Sequence, residues 1–159
     1  MKTQRGFTLG ELIIVLMITG VLAAVAIPRL FDKSGFAARG ARDFVGSALR
    51  YAQKSAVAMR RNVCVTVGTT SVTMTYALAA GSGQACSGAA TIVNPATNQP
   101  FASQVYEQGA TVAAATSAAF DALGRPLSAA LAPLTTTQSI TVNGYATPVT
   151  IEPETGYVH

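Results

Sequence analysis

The sequence predicts an α+β protein: one long, kinked N-terminal helix, apolar in its first half, packed on an antiparallel β-sheet. Three observations carry this. A nearly unbroken apolar run fills residues 12–27, and an apolar stripe of helical spacing resumes after Pro28. From Asn62 onward, apolar residues recur at every second position between turn signals. The chain has 159 residues, enough for one modest domain, and half are hydrophobic. Charged residues make up only 11% of it, against about 25% in an ordinary soluble domain. Part of the chain is therefore built for surroundings other than water.

The first element is the apolar run. Counted from Phe7 to Ile27 it would form a helix about 30 Å long, which just spans a bilayer core. Lys2 and Arg5 precede it, so the positive-inside preference keeps residues 1–6 in the cytoplasm and sends everything after Pro28 outward. A secretory signal peptide cut after Ala26 would share the basic start and the small-residue site at residues 24–26. It leaves Glu11 unexplained: a carboxylate inside the apolar run, which costs roughly 2.5–3.5 kcal/mol on insertion scales near a span's centre.

Arg5-Gly6-Phe7-Thr8-Leu9-Gly10-Glu11-Leu12 resembles the processing motif of type IV pilins and of the pseudopilins of type II secretion. The resemblance implies cleavage between Gly6 and Phe7 by a prepilin peptidase and methylation of the new amino terminus on Phe7. It implies that Glu11 pairs with the terminal ammonium of a neighbouring subunit, and that Pro28 kinks the helix. A buried carboxylate is tolerable when a buried cation meets it. Gly10 departs from the motif, where a branched aliphatic residue is commoner. The expected organisation is a leader at 1–6, a transmembrane and assembly segment at 7–28, an amphipathic helix at 29–61 and a periplasmic sheet domain at 62–159.

In the amphipathic half, Phe36, Ala41, Phe44, Val45, Ala48, Ala52, Ala56 and Met59 form the stripe, with Arg39, Arg42, Arg50, Lys54 and Arg61 largely between them. Strands are then expected at residues 63–67 and 72–76, with a long loop over 79–104 that holds a short strand at 91–93. Further short strands are expected at 105–106, 111–114 and 118–120. An Asn143-Gly144 hairpin should join 139–142 to 145–151, and a turn at 153–156 should lead into a last strand at 157–159. The whole makes one antiparallel sheet of about five to eight strands.

Ala52-Gln53-Lys54-Ser55-Ala56, Arg61-Asn62-Val63-Cys64-Val65, Phe120-Asp121-Ala122-Leu123-Gly124-Arg125 and residues 149–158 resemble the branch holding H-type pseudopilins and FimT-like minor pilins. Residues 28–32 and 50–54 are most similar to the minor pilin of mannose-sensitive haemagglutinin pili. The function implied is a minor type IV pilin, a structural subunit that primes or caps a pilus, with an H-type pseudopilin as the alternative. Expected partners are other minor pilins and the major pilin, or pseudopilins, with the prepilin peptidase and the inner-membrane assembly platform. The expected location is the bacterial inner membrane, single-pass with a periplasmic C-terminus, then the filament.

Cys64 and Cys86 fall in the segment expected outside the cytoplasm, where disulfides persist. Closing that loop would stabilise by about 3 kcal/mol in the chain-entropy model. The alternative is two thiols with Cys64 buried in a strand, because spacing does not fix geometry. No phosphate loop, paired-carboxylate motif or nucleophile triad occurs, and His159 is the one histidine. Neither catalysis nor a cofactor or metal is expected. Glu152 and Glu154 read as solvated turn residues, with calcium ligation as the rival, and Gly124-Arg125 reads as a turn followed by an exposed or ion-paired arginine. A DNA-uptake role would need basic side chains near the C-terminus. Gly124-Arg125-Pro126-Leu127 lacks the second arginine of the Gly-Arg-x-Arg motif used by some FimT-like pilins, and residues 62–159 carry a net charge of −3. Nucleic acid is not an expected partner.

Overall fold

The computed structural model describes residues 7–31, 34–81, 83–86, 90–102, 104–106 and 109–159, with the backbone alone for residues 25–31 and 34. It falls into two compact units, Met1–Lys33 and Ser34–His159. In the first, a single helix α1 spans Leu9–Phe31. The helix runs through Pro28 and is not ended there.

The second unit opens with helix α2, Ser34–Met59. Its buried face comprises Ala38, Ala41, Val45, Ala48, Leu49, Ala52 and Ala56, none more than 4% exposed. Alanines dominate this face, which lets the helix axis lie close to the sheet. Phe36, expected in the stripe, stands 79% exposed. It precedes Ala38 by two residues, about 200° around the helix, and so points away from the core. Leu49, absent from the expected stripe, is fully buried. The helix ends with Arg60 at φ 53°. The Arg60 and Arg61 amides turn back to the carbonyls of Val57 and Ala56, a left-handed cap usually given to glycine.

Eight strands follow among the described residues: β1 Val63–Val67, β2 Ser71–Tyr76, β3 Ala90–Thr91, β4 Gln104–Val105, β5 Thr116–Phe120, β6 Pro126–Leu127, β7 Gln138–Ile140 and β8 Val149–Ile151. They form two sheets, not one. The six-stranded sheet has the order β3-β2-β1-β5-β6, with β4 also paired to β2, and all pairs are antiparallel. Strand β1 is central. Val63, Val65 and Val67 are fully buried between α2 and the neighbouring strands, while Cys64 and Thr66 face the other way. Burying each such valine contributes about 1.5–3 kcal/mol of transfer free energy.

Strands β7 and β8 make the second sheet, in the register Ser139↔Thr150. The Asn143-Gly144 turn does form, with Gly144 at φ 83° and the Tyr145 amide donating to the Val142 carbonyl. The pairing beside it differs from expectation, because Val142 pairs with Val112 instead of across the turn. The strand expected at 111–114 is thus reduced to that bridge, flanked by bonds from Ala113 to Thr141 and from Asn143 to Thr111. The turn at 153–156 brings Val158 against Ile151, and His159 and Thr150 exchange backbone hydrogen bonds. Strand β6 was not expected; its proline is the first residue of a strand at the end of the sheet order, a position where proline is tolerated.

Tyr106 is 3% exposed, and its hydroxyl donates to the carbonyls of Gly68 and Ser71 at the β1–β2 turn. Burial pushes its pKa up to about 12. The folded state therefore favours neutral tyrosine, and this support is complete below about pH 10 and is lost as pH rises through 12. We expect an ultraviolet titration to show one tyrosine ionising near pH 12 or only on unfolding, a step that vanishes in Tyr106→Phe.

Candidate functional site

The expected site begins at Gly6, which lies outside the described residues. Phe7 follows, 82% exposed and ahead of the first turn of α1. Thr8 is the N-cap: its hydroxyl accepts from the Glu11 amide at 3.3 Å and its carbonyl accepts from the Leu12 amide at 3.2 Å. Thr8-Leu9-Gly10-Glu11 is the Thr-x-x-Glu pattern of a capping box, and the hydroxyl half of that box is present. The sequence carries this signal, yet Thr8 was not among the expected site residues.

Glu11 is the acidic residue of the first turn, exposed, and no ion pair among the described residues involves it. A carboxylate here meets the positive end of the helix dipole. Its placement therefore has a local rationale. A side chain at Gly10 would meet nothing within 4 Å, so this departure from the motif relieves no clash. Pro28 lies within α1, with its backbone alone described. Among the described residues no helix is long and apolar enough to cross a membrane. The part of α1 with described side chains, residues 9–24, is shorter than the roughly 20 residues a bilayer core requires.

In the second unit, Cys64 and Cys86 are joined in a disulfide, with Cα atoms 6.1 Å apart. The bond fastens central strand β1 to the loop after β2. The fully buried Asn62 holds that loop as well: its carbonyl accepts from the Ala77 amide and its side-chain amide donates to the Gln84 carbonyl.

Three segments distant in sequence, 52–56, 120–125 and 149–158, converge on one point. Gln53, on α2, donates from Nε2 to the carbonyls of Gly124 and Thr155, at 2.9 and 3.0 Å. One side chain thus pins two distant turns to the helix. The first turn is built on Asp121, fully buried, whose carboxylate accepts from the Leu123 and Arg125 amides and from the Arg125 guanidinium. Arg125 is therefore an ion-paired turn residue, its charge matched by Asp121. Glu152 accepts from Thr137 and bonds the His159 ring, and the His159 bond and then the Thr137 bond hold its carboxyl below the usual carboxylate range. Among the described residues no group of acidic, histidine or cysteine side chains could hold a metal. The convergence at Gln53 holds two turns to the helix through backbone carbonyls.

Residues 1–27 match the family model described as the prokaryotic N-terminal methylation motif. Two curated relatives, each a fimbrial protein of Pseudomonas aeruginosa, are 62% identical over 32 residues, 20% of this chain and 21% of the relative. The chain thus spans about a fifth of the length of the curated relatives it matches. No solved structure matches the chain. These similarities support a type IV pilin-like N-terminal segment, and the α+β architecture of the second unit is consistent with such a protein.

Proposed function

We propose that the chain is a minor type IV pilin, a non-enzymatic structural subunit. Prepilin peptidase cleaves it between Gly6 and Phe7 and methylates Phe7. Residues 7–28 hold it in the inner membrane with the sheet domain in the periplasm, and Pro28 bends the helix as it leaves the bilayer. The assembly platform then moves it into a filament, where it primes or caps a pulled stack of other minor pilins and the major pilin. Glu11 meets the methylated ammonium of a neighbour there and sets the register of the two helices. The observation that carries this reading is the methylation motif across residues 1–27. The Thr8 cap fits it: the helix begins at Leu9, two residues after Phe7, so a cleaved ammonium would stand unfavourably near the positive end of the dipole and would gain from the carboxylate of a neighbour.

The pilus is preferred over an H-type pseudopilin role because the relatives are fimbrial proteins. The test is expression with and without a prepilin peptidase, followed by the mass of the N-terminal peptide. Loss of residues 1–6 together with one methyl group on Phe7 is expected. An uncut N-terminus, or a cut after Ala26, would replace the reading with a plain membrane anchor or a secreted protein.

A further inference from the structure

Within the second unit, the last turns of α2 border a cleft of about 560 Å³, inside the roughly 300–1,000 Å³ of a site for one small molecule. The helix supplies one wall, and the ends of β2 and β3 with the segment just after β3 supply the other. Tyr51, Lys54, Ser55, Ala58 and Met59 follow each other at three- and four-residue steps, so one face of α2 turns them all to the cleft. The rings of Tyr51 and Tyr76 and the side chains of Met59 and Ile92 make its surface largely apolar.

Two polar groups of the lining are not spent on the fold. Ser55 is only 9% exposed, yet its hydroxyl has no hydrogen-bond partner among the described residues. A buried hydroxyl left unpaired is costly, so it favours a partner brought into the cleft. Lys54 is the one charged residue of the lining, and no ion pair among the described residues involves it. Arg61, by contrast, is committed to the carbonyls of Ala77 and Leu78. A free cation beside a free hydroxyl donor, with no acidic side chain in the lining, suits an anion that accepts hydrogen bonds. The size of that anion's carrier is limited by Tyr51. Its hydroxyl donates to the Val93 carbonyl at 3.0 Å, tying the helix to the segment after β3. Tyr51 also borders the next hollow along α2, beside Phe44 and Phe101, so this bond divides the two. A polypeptide laid along the helix would have to break it, whereas a compact molecule would not.

We propose that this cleft binds a small organic carboxylate with an aromatic or aliphatic body. The body lies against Tyr51, Tyr76, Met59 and Ile92, and the carboxylate accepts from the Lys54 ammonium and the Ser55 hydroxyl. Apolar burial supplies most of the affinity, and the charge-assisted bonds fix the orientation. A ligand held this way joins α2 to the β3 edge of the sheet and stabilises the second unit by mass action. The site uses no residue of the first unit, so it stands apart from the reading of residues 1–28.

The methionines provide the reporters. Met59 lines the cleft, Met74 is sealed in the core and Met17 lies on α1. The full chain, with isotope-labelled methionine methyl groups and held in a neutral maltoside detergent, would be titrated with phenylbutyrate and with its uncharged analogue phenylbutyramide. We expect the Met59 methyl resonance to shift saturably with the acid while that of Met74 stays in place, and the amide to bind about tenfold more weakly. Lys54→Gln should bring the acid down to the level of the amide, and Ser55→Ala should weaken it severalfold. Lys54 is exposed, so its replacement leaves the fold intact, which an unmoved Met74 resonance checks. Equal binding of acid and amide, or acid binding untouched by Lys54→Gln, would overturn the proposal. So would a Met59 resonance that moves with neither, or one that drifts without saturating in step with Met17, which marks partition into the micelle.

Discussion

Gly156→Ala is expected to destabilise the second unit by about 3 kcal/mol or more, one of the largest effects available from adding a single methyl group. Gly156 is buried at φ 67°, where an L-residue costs roughly 1–2 kcal/mol. A Cβ there would stand 2.6 Å from the Gly124 carbonyl oxygen and 2.7 Å from Gln53 Nε2. Neither contact can be relieved cheaply. The oxygen is backbone in the Asp121 turn, and the nitrogen is held by two hydrogen bonds. Moving either gives up hydrogen bonds worth about 0.5–1.5 kcal/mol each. Denaturant unfolding followed by near-ultraviolet circular dichroism measures the loss. Adding Gln53→Ala removes one of the two clashes, so the double variant should be less destabilised than the sum of the singles, by about 1 kcal/mol. A Gly156→Ala protein within about 0.5 kcal/mol of the parent would mean that the three segments do not meet as closely as described.

That convergence also marks where sequence reading stops. The processing motif, the stripe of α2 and the alternation of β1 and β2 are contiguous patterns, and each was legible because its chemistry is local. Gln53 reads as one more polar residue on a helix, since its partners Gly124 and Thr155 lie 71 and 102 positions away. The division into two sheets was hidden for the same reason. Asn143-Gly144 announces a turn, but whether Val142 pairs across it or with Val112 is decided by packing remote in sequence. Phe36 fell outside the stripe because an exposed aromatic and a buried one look alike in composition. The Thr8 cap was legible as Thr-x-x-Glu, yet the apolar run beside it drew the reading toward the membrane. The cysteine pair was legible from compartment alone; only its geometry was missing, and the Cα separation of 6.1 Å supplies it.

Replacing Cys64 and Cys86 together with serine is expected to remove about 3 kcal/mol of stability in the chain-entropy model, because the bond closes a loop between residues 22 positions apart. For a unit of this size that corresponds to a melting temperature lower by roughly 10 °C. The folded structure should survive the change. Val63, Val65 and Val67 stay buried whether or not Cys64 is bonded, and the loop keeps its contacts from Ala77 to Asn62, from Asn62 to Gln84 and from Arg61 to Leu78. The effect therefore acts mainly on the unfolded chain, and near-ultraviolet circular dichroism below the transition should be close to the parent's. Calorimetry of the double-serine variant, beside the parent with and without reductant, separates the outcomes. A loss below about 1 kcal/mol would show that the loop is already restrained in the unfolded chain. A loss of native signal before any melting would show that Asn62 and Arg61 cannot hold the loop without the bond. The same chemistry links stability to redox surroundings: the chain kept reduced would melt at the lower temperature, and in oxidising surroundings it would gain the difference as the bond forms.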